Sequence, residues 1–176
     1  MELSDKDRQN FLKDEYILLQ NQYEDFDRRS LTIKGWVASG AIAALAISFS
    51  TSYRLVGIVP VFVAVIATVF WYLEAKWKLF QYALADRIRV IEAYFRDDPQ
   101  NPVESPAPFQ VYHSWFETYV HDLPLYDYER AYRPSTKSKR LWRAAKQPFV
   151  AALYAVIVTL SMISVVLLLA IPLTRS

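Results

Sequence analysis

The side chains with the clearest chemical potential in this sequence are cations, and their densest run is Arg133, Lys137, Lys139, Arg140, Arg143 and Lys146. A second group, Arg28, Arg29 and Lys34, stands just before an apolar stretch that opens at Gly35. Clustered guanidinium and ammonium groups attract phosphate, and two readings fit them. In one, the basic run orients the apolar segment behind it and binds anionic lipid headgroups. In the other, both groups line a vestibule for an anionic ligand, a nucleotide or short single strand, whose bases stack on Trp36, Tyr128, Tyr132 and Trp142. Tryptophan and tyrosine also settle at membrane interfaces for their own reasons, so the aromatic residues suit either reading.

Catalytic constellations are not expected. The three glycines, Gly35, Gly40 and Gly57, lie in or beside apolar stretches, which leaves no glycine-rich phosphate cradle among the charged segments. His113 and His121 are eight positions apart without the carboxylate pattern of a helical zinc site, so ordinary polar roles are expected for both. Asp97 and Asp98 stand before Pro99 and read as a helix stop. No serine occupies a nucleophile turn, and the absence of cysteine removes disulfides and thiolate metal sites. The expectation is no catalytic residue, no metal and no cofactor, with an enzyme the least favoured class.

The elements that position the cations are set by where charge is missing. Residues 35–53, 55–73 and 147–174 contain no Asp, Glu, Lys or Arg. A helix of nineteen residues covers roughly 28 Å, close to the hydrocarbon thickness of a bilayer. The predicted fold is an all-α membrane protein with transmembrane helices at 35–53, 55–73 and 148–172. Residues 1–34 are expected as a cytoplasmic amphipathic helix, 74–97 as a second cytoplasmic helix, and 98–147 as a proline-rich connector, a short helix and the basic segment. The first thirty residues mix acids and bases with no basic start followed by an apolar stretch, so no cleavable signal peptide is expected and Met1 is the expected mature terminus.

Placement of charge sets the expected topology. Lys6, Arg8, Lys13, Arg28, Arg29 and Lys34 precede the first span, twelve cations lie from Lys76 to Lys146, and Arg54 and Arg175 remain. Positive residues stay in the cytoplasm, so the amino terminus and middle segment are expected inside, and the turn at 51–54 and the carboxyl terminus outside.

Apolar periodicity extends two helices beyond the lipid. Leu12, Tyr16, Leu19, Tyr23 and Phe26 step by four, three, four and three, forming one stripe, with the intervening acids and bases expected to face away. Trp77, Phe80, Leu84, Ile88, Ile91 and Phe95 form a second stripe, on a helix continuous with the second span. The two stripes are expected to face each other as an antiparallel hairpin. Phe109, Tyr112, Phe116 and Tyr119 mark the short helix. Within the first span, Gly35 with Ser39, Ser39 with Ala43 and Gly40 with Ala44 offer close packing, either within the chain or between subunits.

No span carries an internal charge and three spans do not divide into equal repeats, so alternating-access transport is not expected. A passive pore from several copies would draw on Ser39, Ser48 and Ser50 of the first span, or Thr159, Ser161 and Ser164 of the third. The competing expectation is that these hydroxyls bond to their own helix backbone.

The stretch YEDFDRRSLTIKG from Tyr23, a small-residue span, a short turn, a second span and the helix WYLEAKWKLFQYALADRIRVIEAYF together resemble a group of small bacterial membrane proteins. The plan is similar to that of membrane effectors of anti-phage systems, including the channel of the Hailong arrangement. The resemblance implies a homo-oligomeric ion channel or membrane-disrupting effector controlled from the cytoplasm by an anionic nucleotide or single-stranded oligonucleotide made by a partner nucleotidyltransferase. The alternative is a non-conducting anchor whose cytoplasmic helices dock a partner protein.

Overall fold

Long runs of helix-compatible residues, unbroken by internal proline or turn chemistry, give long helices. The computed structural model describes residues 4–50, 57–96, 106–121 and 136–170, and among these all regular structure is helical. We number the helices α1 (Asp5–Ser50), α2 (Ile58–Arg96), α3 (Val111–Tyr119), α4 (Lys137–Ala145) and α5 (Pro148–Ala170). Pro60 lies in the first turn of α2, and Pro148 opens α5, where a missing N–H costs little. The expected turn at 51–54, the stop at Asp97, Asp98 and Pro99, and Tyr126, Tyr128, Tyr132 and Arg133 lie outside the described residues.

Three helices, α1, α2 and α5, are long and apolar enough to cross a membrane. The chain divides into two units, Met1–Arg28 with Trp77–Leu141, and Arg29–Lys76 with Trp142–Ser176.

In the first unit, Leu12 and Leu19 of α1 close on Leu84, Ile88 and Ile91 of α2, joined by half-buried rings including Tyr16, Phe26, Phe80 and Trp115. Polar ties cross the same seam. The Tyr16 hydroxyl donates to Glu92 (3.1 Å), the Gln81 amide donates to the Tyr23 carbonyl (2.8 Å), and the Lys78 ammonium donates to Asp27 (2.6 Å). Partner numbers on α2 therefore fall as those on α1 rise. Rings extend the core outwards, with Phe80 centred 4.8 Å from Trp115 and 5.3 Å from Phe26. α3 turns Ser114 and Thr118 inward, while Tyr112 of its aromatic stripe is exposed.

The second unit is a bundle of three apolar helices. Ala41, Val63, Ala67, Tyr154 and Ile157 form its buried centre. On α5 the buried residues Val150, Tyr154, Ile157, Ser161 and Ser164 step by four, three, four and three, the spacing of a packed helical seam. On α1, Lys34, Ala41 and Ser48 recur every seven residues and are all buried. Outside this seam the bundle shows large apolar side chains, with Ile42 69% exposed, Phe62 65% and Leu169 81%. Such a surface is compatible with hydrocarbon.

The seven-residue seam decides which small residues pack. Ser39 and Ala43 are exposed, and a Cβ added at Gly35 or Gly40 would meet nothing within 4 Å. Residues 35, 39 and 43 thus lie off the seam, whereas Ala41 and Ala44 take part in it.

Candidate functional site

The seam of the second unit ends in charge. Ser30 and Lys34 continue the buried line of Ala41 and Ser48 along α1, and Glu74 continues that of Pro60, Val63 and Ala67 along α2. Helical spacing thus delivers an ammonium and a carboxylate to the same interior edge. Lys34 Nζ lies 2.8 Å from Glu74 Oε1, with the two side chains 9% and 6% exposed. The Ser30 hydroxyl donates to the same oxygen at 2.8 Å. Lys34 also donates to the Phe149 carbonyl in the first turn of α5, and its ammonium lies 3.7 Å from the centre of the Phe149 ring. Tyr154, buried on α5, brings its hydroxyl to the Glu74 carboxylate. One lysine therefore ties α1 to α2 and α5 at once.

Taking two charges out of water is costly, and the pair persists because each ion is given further partners. The compensation is incomplete, since Glu74 Oε2 is buried without a hydrogen-bond partner. Nearby, the Trp71 indole donates to the Ala145 carbonyl at 2.9 Å, which fixes the end of α4 to α2.

The first unit holds a different ion pair. Arg87 Nε meets Glu15 Oε1 at 2.8 Å and its Nη2 meets Oε2 at 3.2 Å, a two-point fit between a planar fork and a carboxylate. Arg87 also donates to the Ala107 carbonyl (2.7 Å), and the Phe109 N–H donates to Glu15 Oε2 (2.8 Å). Phe109 has φ of 63°, a strained conformation for a side chain-bearing residue, held by that bond and by its ring 5.0 Å from Phe11. The expectation that acids and bases beside the Leu12–Leu19 stripe face away therefore fails at Glu15. Glu15 stands midway between the two leucines at steps of three and four, on the stripe itself, and a buried arginine across the seam compensates its charge.

The expected anion-binding residues have separate environments. In the first unit, Arg28 is exposed, and Lys137 donates to the Tyr119 carbonyl (3.1 Å) with its ammonium 4.3 Å from that ring. Lys139 is exposed, and its N–H donates to the Thr136 hydroxyl at 3.3 Å. Burial lowers the pKa of Arg140 from its usual value, without discharging it near neutral pH. In the second unit Arg29, Arg143 and Lys146 are exposed, and Lys34 is buried against Glu74.

The hydroxyl candidates for a pore divide as well. Ser48 donates to the Ala44 carbonyl (2.9 Å) and Ser164 to that of Leu160 (2.8 Å), so both bond to their own helices. Ser161 is buried with its hydroxyl unpartnered. Ser39 and Thr159 face outward, and the side chain of Ser50 lies outside the described residues. Among functional candidates, sequence reasoning missed Ser30, Glu74 and Tyr154. The available signal for Glu74 was the seven-residue step from Pro60 through Ala67, which carries the seam past its last apolar residue to a polar one.

No family model, curated relative or solved structure matches the chain.

Proposed function

We propose that the protein is a homo-oligomeric membrane channel or membrane-disrupting effector of bacterial anti-phage defence. It is controlled from the cytoplasmic side by a phosphate-bearing anion or a partner. α1 and α2 run out of the inner membrane as a cytoplasmic antiparallel hairpin, the amino terminus lies inside, and the carboxyl terminus lies outside. A partner nucleotidyltransferase producing a nucleotide or oligonucleotide fits this plan, in keeping with the resemblance to nucleotide-controlled effectors.

The observation that carries the reading is the buried Lys34–Glu74 pair. A passive tether has no need of a costly ion pair across its spans, whereas a gate needs a contact that holds one state and can be broken. Ser39 and Thr159, the outward hydroxyls, are the residues several copies can turn toward a shared pore.

Ion flux from liposomes tests this. Wild-type protein should hold vesicles closed or conduct weakly without its activator. Lys34→Glu and Glu74→Lys should each leak, and the double exchange should restore tightness. Vesicles that stay tight for every variant would support the second reading, a non-conducting anchor. That reading draws on Ser48 and Ser164, whose hydroxyls are satisfied within their own helices.

A further inference from the structure

The end of the second unit that holds Lys34 and Glu74 also carries a repeated pairing of cation and ring. Lys34 lies 3.7 Å from the Phe149 ring centre, Lys76 4.9 Å from that of Tyr72, and Lys146 5.8 Å from that of Trp142. The first pair joins α1 to α5, the second lies on α2, and the third stands at the end of α4 just before α5. Lys34 is buried, but Lys76, Arg143, Lys146 and their aromatic neighbours Tyr72 and Trp142 are exposed. Trp36, in the first turn of the first apolar stretch, is 73% exposed, and Phe149 is also exposed. No Asp or Glu occurs from Arg130 to Ser176, so the segment flanking the third span is itself purely basic.

We infer that Lys76, Arg143 and Lys146, with Tyr72 and Trp142, form a collar that binds the phosphate of anionic phospholipid headgroups. Cations here stand on outward faces beside large exposed rings, at the boundary between apolar helix and charged chain. An indole or phenol with one apolar and one polar edge is suited to the headgroup layer, and an ammonium above it meets the phosphate plane. A soluble nucleotide shares the phosphate and can stack a base on Trp36 or Trp142, but the exposed apolar side chains of the same bundle, Ile42 and Phe62 among them, suit lipid tails and not a nucleotide. The inference names the anion left open above and rests on the membrane reading, independently of conduction.

Native mass spectrometry of the full-length protein, extracted from mixed phosphatidylglycerol and phosphatidylcholine vesicles, provides the test. Wild type should retain phosphatidylglycerol over phosphatidylcholine. The preference should fall about fivefold for each cation removed in the series to Lys76→Gln, Arg143→Gln and Lys146→Gln, and high salt should weaken it. Lys146→Arg should keep the preference, and this single position gives an answer if the triple variant fails to fold. Equal retention of both lipids, or a preference unmoved by all these variants, overturns the inference. So does displacement of phosphatidylglycerol by a short single-stranded oligonucleotide whose binding needs the same residues, because that assigns the collar to a soluble ligand. A protein that never conducts still shows the lipid preference, so failure of the channel reading is distinguishable.

Discussion

Two buried ion pairs, one in each unit, are built to different standards. Glu15 and Arg87 share two contacts, and each reaches the backbone of the segment at residues 107–109, so the charges are closely compensated. Lys34 and Glu74 share one contact in a largely apolar bundle, and one carboxylate oxygen is left without a partner. A closely compensated pair stabilises one arrangement, while an incompletely compensated one leaves less free energy separating that arrangement from another. The first pair reads as architecture and the second as a point of change.

The sharpest way to break this contrast is Glu15→Ala. It strands a buried guanidinium and frees the strained Phe109, so the first unit should lose about 4 kcal/mol. Denaturant unfolding followed by the fluorescence of Trp77 and Trp115 measures it, and a loss below about 1 kcal/mol would remove the claim that this pair is structural. Glu74→Gln should cost less, about 3 kcal/mol, because the amide oxygen still accepts from Ser30. It should raise vesicle leak, whereas Glu15→Ala should not do so before unfolding. If both variants leak equally, the distinction between the pairs disappears.

Ser30→Ala removes one donor from Glu74 and should lower stability by about 1.5 kcal/mol with a partial rise in leak. Flux in the same liposome assay, intermediate between wild type and Glu74→Gln, is the expected result.

The smallest effect is a pH dependence in the first unit. Tyr23 has its pKa raised above the ordinary value of 10.0, chiefly by burial and further by Tyr82 and Asp27, with Arg89 opposing. The folded chain thus holds this proton after the unfolded chain has released it. Its contribution is fully present below pH 10 and declines as pH rises through the raised value. Stability measured on either side of pH 10 should fall more for wild type than for Tyr23→Phe, and equal falls would place Tyr23 outside the effect.

Much of the framework was legible from local pattern. Uncharged stretches picked out the three helices that are long and apolar enough to cross a membrane, because a bilayer excludes charge over a fixed length. Heptad-like steps singled out Leu12, Leu19, Leu84, Ile88 and Ile91, which the structure gathers into one cluster. The same pattern misled at Glu15, because periodicity assigns a face without saying whether a partner waits on it. It also could not tell that Gly35, Ser39 and Ala43 stand off the seam while Ala41 and Ser48 stand on it, since small residues mark every side of that span.

Composition and spacing by themselves determined that the described residues are largely helical, which three helices are apolar enough to cross a membrane, and which stripes seek burial, because those follow from solvation along a single helix. Only the tertiary structure decided that Lys34 meets Glu74 forty residues away and Glu15 meets Arg87. An ion pair depends on the rotation and register of two helices together, and neither helix encodes the other's register in its own sequence.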